Sequence, residues 1–520
     1  MLLTNPATPL IPTSADMDLL TNLLLERETP MTTQELALWW IENALSKERQ
    51  LLQARYQNTR LYTPAESYQI GDRLTFSKME YALATVTQVR QGNNQDYGDF
   101  SVISVEFDDP LYNGQHGYRD FAAQLTQEHA LNEATPQNGA RTSEGETTAQ
   151  AVLAAQPTLI PSLERELHAN KDLRRVAGYW FPQDLVLPVD IGMLHLAEAI
   201  LVMAEGKPLT TESIIEQIGG IGNAPMTLQV FSLNVALSED KRFDEVGPSG
   251  QVLWYLHNQE PDAVKRTPSW LTYRKIDYNR DLLTEDMLLL ESELDDELSQ
   301  LPEADPSEEV SVYLIYPHRR AGTLPINSKT CHIFPTARTP RIYVEFIDDM
   351  DGSRFNGWVV HEHLYVYGLF DYYTKHHLPI GTRITLRRGE HDGQIHIRYE
   401  AYKARTEYIP VVQPVREQLS LMQTKRAIGA DFDFQLIVGI DNLEATDELA
   451  KGFTHKNIAS IIKAVIGEAS KFSPQSTVHA KTIYSIANIL RRCPPGLVFA
   501  TLSANPEFET IGNHNWKLSE

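Results

Sequence analysis

The chain has 520 residues, room for three or four domains, and carries a net charge of −23 with a pI near 5.1. An acidic surface of this kind repels nucleic acid except at a local basic patch, and it suits docking on basic partners. Two cysteines, Cys331 and Cys493, exclude a disulfide framework and point to a reducing cytoplasm; no apolar run approaches a membrane span, and Met1 to Ala15 lacks the features of a signal peptide.

In chain order, Leu19, Leu20, Leu23 and Leu24 stand at helical spacing. Thr29-Pro30-Met31-Thr32-Thr33 stops that helix and caps a second, Gln34 to Leu45, so residues 1–50 read as an N-terminal helical segment. Short alternating runs, Arg73 to Phe76, Ala84 to Val89 and Phe100 to Phe107, make residues 51–127 a small SH3-like barrel. Residues 128–165 are poor in large apolar side chains and read as a flexible linker. The span 166–260 reads as a winged helix. Residues 261–310 read as an acidic connector: the stretch 281–310 holds twelve Asp or Glu and no Lys or Arg, as an amphipathic helix followed by a disordered stretch near Pro302 and Pro306. Residues 311–408 read as a strand-rich, barrel-like basic domain, 409–450 as a connector, and 451–520 as a second winged helix. The expected fold class is α+β and multidomain.

The winged-helix reading rests on a pattern that occurs twice. Leu237-Ser238, Phe243 and Val246-Gly247 lead to Trp254; Leu502-Ser503, Phe508 and Ile511-Gly512 lead to Trp516. A helix end, a strand, a glycine turn and a returning strand produce this spacing. Before the first copy lie a helix from Leu194 to Ala204, the break Pro208-Leu209-Thr210-Thr211, a helix from Ser213 to Ile218, a glycine turn and a helix starting near Pro225. The break repeats the punctuation at Pro30 to Thr33. Before the second copy lie helices from Asn457 to Ser470, Val478 to Arg491 and Pro494 to Leu502. The residues Pro208-Leu209, Ile214, Ala236-Leu237-Ser238, Phe243, Val246-Gly247-Pro248 and Trp254-Tyr255-Leu256 resemble the HARE-HTH family of winged helices, which includes the N-terminal domain of the delta subunit of bacterial RNA polymerase. The resemblance covers about a quarter of the chain and implies association with DNA or transcription machinery, not a reaction.

A winged helix reads DNA with its third helix. Here that segment, Met226 to Val235, has no basic residue. Gln229 and Asn234 are the candidates for base edges, and Lys241 and Arg242 for phosphates. In the last copy Arg491 and Arg492 stand just before helix three. Residues 311–405 hold thirteen Lys or Arg against nine Asp or Glu, and Arg383, Arg387, Arg388 and Arg398 fall on two strands that form a basic ribbon. Groove reading and protein docking both remain open.

His361-Glu362-His363 and His376-His377 do not match a zinc-protease helix, and a metal there is not expected. Gly219 to Gly222 lacks the context of a phosphate loop, and Asp348 to Gly352 reads as a turn rather than a calcium loop. The expectation is a non-enzymatic protein without metal or cofactor. DNA and RNA polymerase are its expected partners; a docking scaffold or a subunit of a nuclease complex is the alternative.

Overall fold

The computed structural model describes residues 10–127, 148–473 and 475–519. Among these the chain is mixed α/β, with fifteen helices and several separate sheets, in two compact units, Met1–Val186 and Leu187–Glu520. No helix is long and apolar enough to cross a membrane among the described residues.

The N-terminal unit opens with helix Ser14–Arg27, the two-residue strand Met31–Thr32 and helix Thr33–Tyr56. Both helices start with a capping box, Thr13 with Asp16 and Thr32 with Glu35, which satisfies N–H groups that a helix start leaves free. A five-stranded sheet over residues 60–123 follows, paired in chain order. Its ends meet, because the N–H groups of Gln124 and Leu125 donate to the carbonyls of Glu66 and Pro64. Tyr62, Phe76, Phe107 and Phe121 fill its core.

Of the expected linker, residues 128–147 lie outside the described residues. The rest contradicts the expectation: Ala149–Ala154 and Leu159–Ala169 are helices. Leu159, Leu163 and Leu167 recur every four residues and are fully buried against the first two helices, so a short apolar stripe orders a segment whose composition looks loose. A hairpin, Leu173–Val176 with Tyr179–Pro182, closes the arrangement.

The larger unit contains two further arrangements of this order. The central one runs through helix Ile191–Met203, strand Leu209–Thr210, helices Thr211–Ile218 and Met226–Glu239, and the hairpin Phe243–Glu245 with Leu253–Leu256. The terminal one runs through helix Ile458–Ala469, strand Val478–His479, helices Ala480–Leu490 and Pro495–Ala504, and the hairpin Phe508–Gly512 with Asn515–Leu518. Between them, residues 309–399 form a seven-stranded mixed sheet. Its pairing runs linearly from Glu309–Tyr313 to Thr323–Pro325, with helices Tyr316–Ala321 and Phe370–Lys375. The expected connector 409–450 contains half of a long hairpin, Ala401–Val412 with Leu421–Ala430, and helix Leu443–Phe453.

The acidic stretch does not act as a spacer. Its helix, Glu285–Leu294, buries Met287 and Leu290 in one core with the terminal module. A β-carbon at Gly496 would collide with the Tyr278 hydroxyl and the Glu291 carboxylate, so the third helix of the terminal module lies directly under this segment.

The chain therefore contains three modules, not two, with one topology. In each, a two-residue strand pairs with the returning strand of the hairpin, and an apolar residue faces tryptophan: Met31 with Trp180, Leu209 with Trp254, Val478 with Trp516. A buried leucine near the end of the third helix stands six residues before the first residue of the hairpin: Leu167 and Leu173, Leu237 and Phe243, Leu502 and Phe508. The indole N–H is held in the same way twice. Trp180 Nε1 donates to Thr33 Oγ1 at 3.0 Å, and Trp254 Nε1 to Thr211 Oγ1 at 3.1 Å and Asn234 Oδ1 at 2.8 Å. Thr33 and Thr211 are the first residues of the second helix. Ala480 holds that position in the terminal module, and Trp516 Nε1 is buried without a partner.

Thr33→Ala strands the Trp180 donor and is expected to destabilise the N-terminal unit by about 1–3 kcal/mol in urea unfolding. Thr211→Ala should cost less, because Asn234 still accepts from Trp254.

Candidate nucleic-acid interface

The structure places most of the expected contact residues in internal roles. In the central module eight of the fourteen residues of the third helix are buried, Gln229 and Asn234 among them. Gln229 Oε1 accepts from the Ile221 N–H at 2.7 Å, and its Nε2 donates to the Ala224 carbonyl at 2.7 Å, which holds the glycine turn. Asn234 accepts from Trp254 and Thr211. Neither amide is free for a base edge. Arg242 lies between Asp240 at 2.6 Å and Glu198 at 2.5 Å, and these hydrogen bonds raise its pKa further. Lys241 alone of this group is exposed and has no ion-pair partner among the described residues.

Arg492 contradicts its expected role most sharply. Its side chain is 1% exposed, and its Nη2 donates to Asp296 at 2.6 Å and Glu297 at 2.7 Å. Nη1 donates to Asn488 and the Cys493 carbonyl. Tyr484 donates to Asp296, and His318 Nε2 lies 3.1 Å from Glu297. Burial raises the pKa of Asp296 against the pull of Arg492; for Glu297, Arg492 and His318 outweigh the same desolvation and hold the carboxyl well below its usual range. Burial also pushes the Cys493 thiol up to about 12. With no opening to solvent, this cluster clamps the acidic segment to the terminal module. Arg491 is half-buried and donates to the Lys456 carbonyl at 2.7 Å. In the terminal module seven of the ten residues of the third helix are buried.

On the seven-stranded sheet, Arg383 and Arg387 do share a face with Arg398, which lies across from Thr385. Each meets a carboxylate. Arg383 pairs with Asp431 at 2.5 Å, Arg398 with Glu309 at 2.9 Å, and Arg387 lies 3.6 Å from Asp349 and bonds to His396. Arg388 is exposed and has no acidic partner among the described residues. The expected basic ribbon is a face of alternating charge.

The histidines do not converge. His361 to His363 form a 3-10 turn rather than a strand. His361 Nε2 bonds to the Pro335 carbonyl, and His363 stacks on Tyr365. His376 lies between Asp348 (Nε2 to Oδ2, 2.6 Å) and the Tyr399 hydroxyl (3.3 Å from Nδ1). This order matches a carboxylate–imidazole–hydroxyl relay. The neighbouring Lys375 is bound to Asp348, Asp351 and Ser353, so it holds the Asp348–Gly352 turn closed rather than facing a substrate anion.

A surface not singled out by the sequence reading fits nucleic acid better. The hairpin Ala401–Val412 with Leu421–Ala430 is joined by a third strand only at Val411 and Val412, so its outer part is a two-stranded ribbon. Residues 401–406 are all exposed. Tyr408, 55% exposed, lies under Lys425 at 5.1 Å from the ring centroid, and Tyr402, 37% exposed, under Arg405 at 5.8 Å. Residues 401–430 hold five Lys or Arg against two Asp or Glu. Lys403, Arg405, Arg416 and Lys425 have no acidic partner among the described residues. The visible signal was the alternation of aromatic and basic residues in Tyr402-Lys403-Ala404-Arg405, but a domain boundary drawn at 408 separated it from the second strand of its hairpin.

Comparison of the chain with protein-family models, with curated proteins and with solved structures returns no match.

Arg492→Met leaves two buried carboxylates without their counter-ion and is expected to destabilise the larger unit by about 3–5 kcal/mol in denaturant unfolding. Arg388→Ala and Lys241→Ala should leave the midpoint where it is.

Proposed function

We propose that the chain is a non-enzymatic protein of nucleic-acid or transcription complexes. Its three modules are winged helices used as framework and docking blocks, its curled five-stranded sheet is an SH3-like barrel, and its nucleic-acid contact is the ribbon 401–430. The observation that carries this reading is the ribbon itself, where unpaired cations lie over exposed tyrosines. Bases stack on aromatic rings while neighbouring cations follow the phosphates, a combination suited to single strands. The third helices of the central and terminal modules support the same reading by their burial. That of the N-terminal unit exposes Arg165, Glu166 and His168, a mixed rather than basic face.

One observation favours a second reading, protein docking. Helix Ile191–Met203 exposes Ile191, Leu196, Val202 and Met203, with Met203 at 77%; its one charged residue, Glu198, is taken by Arg242. An apolar stripe of this kind marks an interaction surface. RNA polymerase is the partner suggested by the HARE-HTH resemblance.

Fluorescence anisotropy with labelled oligo-dT and with a random duplex, over a range of salt, tests the first reading. Single-strand binding should weaken with salt. The triple variant Lys403→Ala, Arg405→Ala, Lys425→Ala should flatten the salt slope by about two, at roughly 0.7 per phosphate contact. Tyr408→Ala should weaken binding by about 1–3 kcal/mol. Absence of binding at low salt, or binding indifferent to these changes, sinks the ribbon assignment. Association with purified RNA polymerase that is lost in Leu196→Glu, Val202→Glu would support docking instead.

A further inference from the structure

The hairpin of the central module ends beside a group of side chains that the reading above leaves unused. Asp244 lies on its first strand, and the chain leaves the second strand through the turn His257–Gln259 into Glu260. One ligand atom from each of Asp244, His257 and Glu260 lies within 4.8 Å of the others. His257 Nδ1 is 2.6 Å from Asp244 Oδ2 and 3.9 Å from Glu260 Oε2. The Glu260 side chain is fully buried. Arg341 Nη1 donates to Oε2 at 2.8 Å, and Oε1 is buried without a partner.

A buried carboxylate oxygen with no donor is costly, and a second carboxylate beside it adds to the cost. A proton or a cation placed between the two acids removes the repulsion. The imidazole nitrogen on the same spot favours a metal ion, because one nitrogen and two carboxylate oxygens form a donor set that zinc accepts with water as its fourth ligand. His257 and Asp244 are half-exposed, which leaves a path for the ion and its water.

We propose that Asp244, His257 and Glu260 bind a divalent transition-metal ion, zinc in the first instance, through His257 Nδ1 and one carboxylate oxygen each from Asp244 and Glu260. Arg341 keeps its hydrogen bond to Oε2 and orients the carboxylate from outside the coordination sphere. The ion ties the first strand of the hairpin to the turn after the second. Through Arg341, on strand Arg341–Asp348, it also ties the module to the seven-stranded sheet. The other such grouping among the described residues, Glu303, Cys331 and His332, has an exposed carboxylate, and its histidine is held by the Ala304 carbonyl at 2.7 Å.

Metal-stripped full-length protein, titrated with zinc chloride by calorimetry and followed by thermal unfolding with and without zinc, tests the site. One zinc per chain and a higher Tm with zinc are expected. His257→Ala and Asp244→Asn should each weaken binding at least about tenfold and abolish the Tm shift, while Cys331→Ser with His332→Ala changes neither. Both single changes are at half-exposed positions, and metal-free circular dichroism checks their folding. Wild-type protein with cobalt(II) gives a readout that needs no variant: visible bands of a four- or five-coordinate ion support the site. An octahedral spectrum, no zinc uptake, or uptake indifferent to His257→Ala and Asp244→Asn overturns it.

Discussion

The guanidinium of Arg492 lies out of water between Asp296 and Glu297, and the packing of the larger unit depends on that neutralisation. Removing an ion from water costs several kcal/mol even after relaxation, so the site is tolerable only with both carboxylates and the surrounding donors in place. The two acids belong to the segment 281–310, and the arginine lies between the second and third helices of the terminal module. The same segment contributes Glu291 to Arg280 and Glu293 to Lys481. Part of the acidity that suggests a solvated spacer thus supplies internal counter-ions, and Leu283, Met287 and Leu290 join the terminal module's core. The third helix of that module, buried beneath this segment, is withdrawn from any groove.

A second constraint recurs in all three modules. A tryptophan on the returning strand is large enough to fill the space between the helices, but burial takes its N–H out of water, which costs free energy unless an acceptor is supplied. The hydroxyl at the first position of the second helix supplies it in two modules, and that position is fixed by the two-residue strand just before it. The strand, the helix start and the tryptophan therefore form one unit. The terminal module keeps the strand register without the hydroxyl, which shows that apolar packing sets the topology and the hydrogen bond adds to it.

Much of this was legible. The helices and hairpins of the central and terminal modules follow from the doubled Leu–Phe–Gly–Trp spacing, and the strands of residues 309–399 from their alternation. The N-terminal module was hidden for three physical reasons. Its halves are separated by the five-stranded sheet. Leu173 takes the place of the phenylalanines. The tight turn at Ala177-Gly178, both with positive φ, shortens the hairpin so that tryptophan comes seven residues after Leu173 instead of eleven, as from Phe243 to Trp254. Contact residues were less legible than elements, because a sequence shows where charge lies but not its partner. Arg383, Arg387 and Arg398 share a face as alternation implies, yet their carboxylates come from distant strands and loops.

Those pairings also decide where basic potential survives. An arginine with a carboxylate within 3 Å contributes little field beyond a Debye length, so Arg383, Arg398 and Arg242 offer a phosphate almost nothing. Cations without partners keep their field, and four of them, Lys403, Arg405, Arg416 and Lys425, belong to one hairpin, which is exposed over residues 401–406 and buried at Ile409, Val411 and Ile428. In a chain of net charge −23, a polyanion is repelled on average, so contact with one needs a local excess of such cations. On the proposed function, local charge on the ribbon sets orientation, and the exposed tyrosines provide the short-range contact that charge alone lacks. On the proposed function, the acidity of the whole and the basicity of this part act together: the first disfavours non-specific contact, and the second offers a local place for it.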